Sequence, residues 1–265
     1  MNLIEAIVLG IVQGIAEWVP ISSEGLTVLI GVRFFENITL TELIRLSLFL
    51  HLGTLLAALV YFKRDVIHLL KELFNYKKTD PTTRKLLNFY LIATVASGGL
   101  GAVILKAIEG FEGYVDLTAK SIVVLLGILL FVTGLAQLRR SAGGYKSPKD
   151  LKLSDGLALG VAQGISVLPG LSRSGLTVST LLLRGFDDTH SLKLSFIMSL
   201  PIVLVGNILL NTSEFALTLT SLVSLLFAFA FGLLAIHLLL KIAQRVKFGW
   251  FVLLFSFLVI GSIFI

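Results

Sequence analysis

The residues best suited to chemistry lie in two short polar segments that interrupt long apolar runs. In the first segment, Gln13 precedes Glu17 by four residues, so both side chains lie on one face of a helix. Ser22 and Ser23 follow and supply hydroxyl groups. A carboxylate in apolar surroundings either takes up a proton or pairs with a cation, such as an arginine or a divalent metal ion. This segment therefore offers a carboxylate and candidate hydroxyl nucleophiles.

The second segment has the composition of an anion site. Residues 169–175 read PGLSRSG, which is a helix break followed by hydroxyl side chains, an arginine and a renewed apolar helix. Backbone amides and hydroxyls at a helix N-terminus bind anions. The planar guanidinium of Arg173 adds parallel donors that suit a phosphate. The predicted anion cradle consists of Gly170, Ser172, Arg173 and Ser174.

The rest of the chain has the composition of an integral membrane protein. Of its 265 residues, 56% are hydrophobic and 14% are charged, and the mean hydropathy is +0.96. Average globular proteins are about 25% charged, so a disordered chain, a fibrous chain and an ordinary cytosolic enzyme are excluded. The net charge of +6 arises from Lys and Arg in loops between apolar runs, which indicates membrane orientation rather than a nucleic-acid partner. In a membrane, the two polar segments imply a ligand that carries a phosphate or diphosphate on a lipid.

The apolar runs predict an all-α fold with six transmembrane helices. Basic loops at 63–85, 139–152 and 241–247 are predicted to be cytoplasmic, and the acidic loop 109–118 is predicted to lie outside. Both termini are then expected outside. The predicted spans are 43–62, 86–108, 119–138, 192–212, 217–240 and 248–265.

Two regions remain, 1–36 and 153–185, and each must enter and leave the membrane on one side. We predict that both are re-entrant helical hairpins, because non-helical backbone at membrane depth must be buried in protein or line a wet cavity. The hairpins resemble each other: residues 9–28 and 159–178 share ten identities in twenty aligned positions without a gap. The sequence thus predicts two repeats, 1–138 and 153–265, joined by a cytoplasmic linker.

Each predicted repeat contains a hairpin and three spans, and three is odd, so the second repeat is inverted relative to the first. Inverted repeats with broken helices build binding sites near the membrane midplane. The positions where the two hairpins differ are the candidates for chemistry. Glu17 aligns with Val167, Ser23 aligns with Arg173, and Glu24 aligns with Ser174.

These motifs resemble those of the undecaprenyl-diphosphate phosphatase family of BacA type, over essentially the full chain. The resemblance implies hydrolysis of a polyprenyl diphosphate to the monophosphate, which recycles a glycan carrier lipid. It also implies a cavity open to the outer face and a divalent cation, Mg or Ca. The expected partners are the isoprenoid lipid diphosphate and the bilayer, and a homodimer is considered as an assembly.

The resemblance assigns roles by position. Gln13 and Glu17 are the expected metal-binding or acid–base pair, and Ser23 is the expected nucleophile with Ser22 beside it. Arg173 is expected to bind the phosphate. Its expected helpers are Ser172, Ser174 and Thr177.

One position departs from the family pattern. Bacterial members usually have a histidine where this chain has Leu26. Glu24, Thr27 and His51 are therefore considered as auxiliary residues, with Glu24 or His51 as a substitute acid. The alternative function is a transporter or flippase of a polyprenyl phosphate without hydrolysis.

Overall fold

The described part of the chain is almost entirely helical. A computed structural model describes residues 1–19, 21–35, 40–109, 146–168, 171–210, 217–243 and 248–261, with isolated positions between 124 and 138. The α-helices are α1 (Leu3–Ala16), α2 (Ser23–Phe34), α3 (Leu40–Tyr61), α4 (Lys63–Phe74), α5 (Pro81–Glu109), α6 (Leu153–Ile165), α7 (Arg173–Leu183), α8 (Asp188–Leu210), α9 (Leu219–Ala243) and α10 (Phe248–Gly261). Short 3-10 turns lie at Tyr76–Lys78 and Pro148–Asp150.

Four of these helices are long and apolar enough to cross a membrane, namely α3, α5, α8 and α9. They coincide with four of the six predicted spans, so the prediction of an all-α membrane protein is confirmed. α5 begins five residues earlier than predicted, at Pro81, because proline is favoured in the first turn and Asp80 accepts backbone bonds from Thr82 and Thr83. Most of the predicted span 119–138 lies outside the described residues, as do the last four residues of the chain.

The regions predicted as hairpins each contain two short helices separated by a break. The helices have 14 and 12 residues in the first region and 13 and 11 in the second. At 1.5 Å per residue they are about 16–21 Å long, whereas a bilayer core is about 30 Å thick. The two second helices begin alike: Ser22 Oγ accepts from Gly25 N–H at 3.2 Å, and Ser172 Oγ accepts from Gly175 N–H at 3.1 Å.

The chain folds into two compact units, and the first comprises residues 1–63 and 199–239. Within it, α1 packs closely on α9 through two glycines. A Cβ at Gly14 would lie 2.8 Å from the Ala228 carbonyl oxygen, and a Cβ at Gly10 would overlap the Ser224 carbonyl oxygen. These glycines let the two backbones approach, as small residues do between membrane helices.

The second unit comprises residues 64–198 and 240–265, and in it α6 packs on α5 in the same manner. A Cβ at Gly160 would lie 2.8 Å from the Ala93 carbonyl oxygen, and one at Gly164 would lie 2.9 Å from Leu100 Cβ. Thus the first helix of each hairpin region packs by equivalent glycines on the second predicted span of the opposite half of the sequence.

An unpredicted helix lies in the basic segment 63–85, which was interpreted as a loop from its charge. Residues 63–74 form α4, so the loop interpretation was wrong there. The physical reason is helical periodicity: Val66, Leu69, Leu70 and Leu73 fall on one side, and charged residues fall on the other.

Candidate functional site

A buried carboxylate lies at the break between α1 and α2. Glu17 directly follows the last residue of α1, and it is 6% exposed. Its Oε2 atom accepts from Gln13 Nε2 at 3.0 Å and from Ser23 Oγ at 2.8 Å. His51 Nε2, from α3, lies 3.1 Å from the same oxygen. Three polar side chains from three helices therefore converge on one carboxylate oxygen within the first unit.

Local structure explains why Gln13 and Ser23 reach Glu17. Gln13 lies one helical turn before Glu17 on α1, as its four-residue spacing predicts. Ser23 is the first residue of α2, where the chain returns after the break. Thr27, fully buried one turn further along α2, donates from Oγ1 to Gln13 Oε1 at 3.4 Å. That bond orients the amide so that its NH₂ group faces Glu17.

The contacts of His51 determine where its protons lie. Nδ1 is 2.7 Å from the Ser47 carbonyl oxygen, which can only accept, so Nδ1 carries a proton. Nε2 faces Glu17 Oε2, and a hydrogen bond between these two atoms requires a second proton, carried either by Nε2 or by Oε2. His51 therefore braces Glu17 from α3 and shares a proton with it.

Other candidates in the first region have different surroundings. Ser22 is the N-cap of α2, and its hydroxyl oxygen accepts from Gly25 N–H. Glu24 and Leu26 are half-buried in the first turns of α2. The negative charge of Glu24 favours this position, because the N-terminus of a helix carries partial positive charge.

The second candidate site lies at the start of α7, in the second unit. Ser172 is the N-cap and Arg173 is the first residue of the helix. Ser172 Oγ lies 3.2 Å from Ser174 Oγ, and the two serines are 3% and 2% exposed. A guanidinium, two hydroxyls and the helix N-terminus together make a positive, hydrogen-bonding environment for an anion.

Thr177 and Gly170 were also predicted to bind phosphate in this region. Thr177 is fully buried, and its hydroxyl lies 2.7 Å from the Arg173 carbonyl oxygen and 2.6 Å from Ser195 Oγ. These contacts position the first turn of α7. Gly170, predicted to bind phosphate, lies outside the described residues.

The two breaks differ in chemistry although their framework is alike. Gln163, which aligns with Gln13, donates to Ser97 Oγ of α5 at 3.1 Å. No carboxylate occupies the position that corresponds to Glu17, where the chain has Val167. Ser97 and Ser195 were not predicted as partners, because nothing in the sequence indicates pairings so distant along the chain. His51 did have a signal in the sequence, since the apolar run 46–62 contains no Asp, Glu, Lys or Arg and His51 is its one histidine.

The donor set at Glu17 bears on whether a cation could bind. Among the described residues, no group of three or more His, Cys, Asp or Glu side chains could hold a metal ion. The Glu17 carboxylate is a hard ligand, and Mg²⁺ is commonly held by one or two carboxylates with substrate phosphates and water. The Gln13 amide turns its NH₂ group to Glu17 and its oxygen to Thr27, so Gln13 would have to flip its amide to become a second ligand. With that change, the two residues fit a cation that binds jointly with a phosphate ligand.

Comparison with known proteins covers nearly the whole chain. A protein identified as undecaprenyl-diphosphatase from Methanococcoides burtonii is 45% identical over 262 residues, which is 95% of this chain and 94% of that protein. The corresponding protein from Haloarcula marismortui is 36% identical over 93% of this chain and 92% of that protein. The one from Desulforudis audaxviator is 33% identical over 96% of this chain and 94% of that protein. The family model described as bacitracin resistance protein BacA matches residues 6–261. The chain therefore belongs to the BacA family.

Proposed function

We propose that this protein hydrolyses a polyprenyl diphosphate of the undecaprenyl type to the monophosphate and inorganic phosphate. Family membership supports this function, since relatives over nearly the full chain are named undecaprenyl-diphosphatase. The observation that carries it is the contact of Ser23 Oγ with Glu17 Oε2 at 2.8 Å. A hydroxyl that donates to a buried carboxylate is the arrangement of a nucleophile and its base.

In the proposed reaction, Ser23 attacks the terminal phosphorus, or orients a water molecule that does so. Glu17 accepts the proton of the attacking hydroxyl, and the bond between the terminal phosphorus and the bridging oxygen breaks. The polyprenyl monophosphate leaves with that oxygen. If Ser23 is phosphorylated, water then releases inorganic phosphate from it, so both routes consume one water molecule per turnover.

The phosphates of the substrate are assigned to the start of α7. Arg173 provides a bidentate contact, and the hydroxyls of Ser172 and Ser174 add donors. Such groups stabilise the charge that develops on phosphate oxygens in the transition state. A divalent cation held by Glu17 and Gln13 together with the substrate would neutralise further phosphate charge.

We propose that the chain is an inverted repeat in which each half contributes one helix break. The matched caps at Ser22 and Ser172 and the matched glycine contacts of Gly10 and Gly160 support this arrangement. The short lengths of α1, α2, α6 and α7 support a re-entrant course. In this proposal both termini and the mouth of the site face outward, and the basic segments face the cytoplasm. The comparisons give no support to lipid transport without hydrolysis.

The function is tested by phosphate release from a long-chain polyprenyl diphosphate with purified protein in detergent. The assay is run with magnesium, with calcium and with a chelator. Arg173→Ala serves as the blank, and Ser256→Ala, which removes a hydroxyl from α10, serves as the matched control. We expect metal-dependent release by the wild type and the control, and none by the blank. Wild-type release by Arg173→Ala would overturn the assignment.

A further inference from the structure

The helix α4 has a position that neither the catalytic proposal nor the family relation explains. It follows the span α3, which ends at Tyr61, and it precedes the span α5, which begins at Pro81. A helix of 12 residues is about 18 Å long and cannot cross a bilayer core of about 30 Å. The chain connections at both of its ends therefore keep α4 at a membrane surface.

One face of α4 is apolar and uncovered. Ile67, Leu70, Leu73 and Phe74 are 51%, 51%, 50% and 87% exposed, and no residue of α4 is buried. Positions 67, 70 and 74 lie on one side of a helix, with 73 adjacent to them. Large apolar side chains clustered in this way mark a surface that contacts lipid or another apolar partner.

The side of α4 that carries Asp65 and His68, with Leu69 at its border, faces protein, so the orientation of the exposed apolar residues is set. Asp65 Oδ1 accepts from Lys193 Nζ at 2.7 Å. Asp65, His68 and Leu69 line a pocket of about 210 Å³ with side chains of α5 and α8, among them Tyr90. With this side turned toward α5 and α8, residues 67, 70 and 74 point away from α5 and α8.

Basic residues accompany the apolar face. Arg64 and Lys71 on α4 and Lys77 and Lys78 just after it are all exposed. An amphipathic helix with basic residues beside its apolar face lies in the plane of a membrane interface and binds anionic lipids. Basic residues next to a span are attracted to an anionic leaflet. The positive charge of this surface therefore favours a membrane with anionic lipids over a neutral partner.

We propose that α4 is an interfacial helix that inserts Ile67, Leu70, Leu73 and Phe74 into one leaflet and binds anionic phospholipid headgroups. The residues that bind the headgroups are Arg64, Lys71, Lys77 and Lys78. This surface includes none of the residues assigned to catalysis, and the proposal does not depend on the phosphatase reaction.

The chain contains no cysteine, so single labels can be placed without removing native thiols. Nitroxide labels are attached to Leu70→Cys and Phe74→Cys, with Lys149→Cys, at an exposed position of the 3-10 turn Pro148–Asp150, as the control. The protein is reconstituted in phosphatidylcholine vesicles that contain phosphatidylglycerol in equal parts. We expect oxygen to relax the labels at positions 70 and 74 more than a water-soluble nickel chelate does, and the reverse at position 149.

The preference for a lipid headgroup is measured with a fluorophore at position 74. Its fluorescence is quenched by brominated lipids that are added to phosphatidylcholine vesicles. We expect brominated phosphatidylglycerol to quench more strongly than the same fraction of brominated phosphatidylcholine. Changing Arg64, Lys71, Lys77 and Lys78 to Gln should abolish that excess. Lys106→Gln, which removes an exposed charge near the other end of α5, should keep it.

Three results would overturn the proposal. One is access of the nickel chelate to positions 70 and 74 that equals its access to position 149. Another is equal quenching by both brominated lipids in the parent protein. The third is spin–spin broadening between labels at position 74, which would mean that a second copy of the chain covers this face.

Discussion

His51 Nε2 lies 3.1 Å from Glu17 Oε2, and this contact joins the helix α3 to the break after α1. On its other side, His51 is held by the Ser47 carbonyl oxygen through Nδ1 at 2.7 Å. The imidazole is thus a rigid brace, and Glu17 is oriented toward Ser23 by Gln13 of α1 and His51 of α3.

We expect His51→Leu to lower kcat about ten- to a hundredfold, because the carboxylate loses one donor worth about 1.5–3 kcal/mol. His51→Gln can still donate a hydrogen bond and should retain more activity. Phosphate release by the two purified variants is compared at equal folded fraction, and it checks that His51→Gln is more active than His51→Leu. Equal activity of His51→Leu and wild type would show that the brace has no catalytic consequence.

Removing the base should have a larger effect than removing its brace. Glu17→Gln preserves the shape of the side chain but cannot accept the Ser23 proton, so kcat should fall about 10²- to 10⁴-fold. The melting temperature in detergent is measured in parallel, to separate loss of catalysis from loss of fold. A variant that is folded and fully active would contradict the role of Glu17.

The geometry of the guanidinium at position 173 can be tested separately from its charge. Arg173→Lys keeps a positive charge but loses the planar pair of donors, so substrate phosphates should be held less well. We expect a raised KM and reduced kcat/KM for Arg173→Lys, and no measurable turnover for Arg173→Ala. If lysine restored wild-type kinetics, charge alone would account for the role of this position.

The glycine contacts between α1 and α9 predict a stability difference. Gly10→Ala would place a Cβ against the Ser224 backbone carbonyl, and we expect it to destabilise the protein by about 1–3 kcal/mol. Gly98→Ala is the matched control, because a Cβ there meets nothing within 4 Å. The control should be neutral, or stabilising by up to about 1 kcal/mol, since alanine is the better helix former. Thermal unfolding in detergent compares the two, and an equal melting temperature for both would remove the packing argument.

Asp80, outside the span, should make the start of α5 sensitive to acid. Hydrogen bonds from the side chain and backbone of Thr83 and from the backbone of Thr82 lower the pKa of Asp80 from its ordinary value of 3.8. Because the folded pKa is depressed, the stabilisation is present above pH 3.8 and is lost as the pH falls through the folded pKa. Asp80→Asn should therefore lower the melting temperature at pH 7, and the difference from wild type should shrink at strongly acidic pH. A difference that does not change with pH would exclude this cause.

The sequence alone predicts those elements whose signals lie close together along the chain. The apolar runs predict the spans α3, α5, α8 and α9, and the four-residue spacing predicts that Gln13 and Glu17 are neighbours. The partner of His51 was not predictable, because it depends on how α3 packs against α1. The helix α4 was missed because its charge suggested a loop, although its apolar residues recur with helical spacing.

The packing of α1 on α9 has a consequence for the order in which the helices pack during synthesis. During synthesis, α6 emerges after α5, so the surface on which it packs is already in place. α1 is made first, yet α9 is made near the end of the chain. α1 therefore gains this packing surface only after most of the protein has been made, although α2 and α3, which contact α1 and hold Glu17, are made early. A ribosome-bound chain that stops before α9 should hold the second break in nearly native form, with α1 at the first break still missing one of its helical partners.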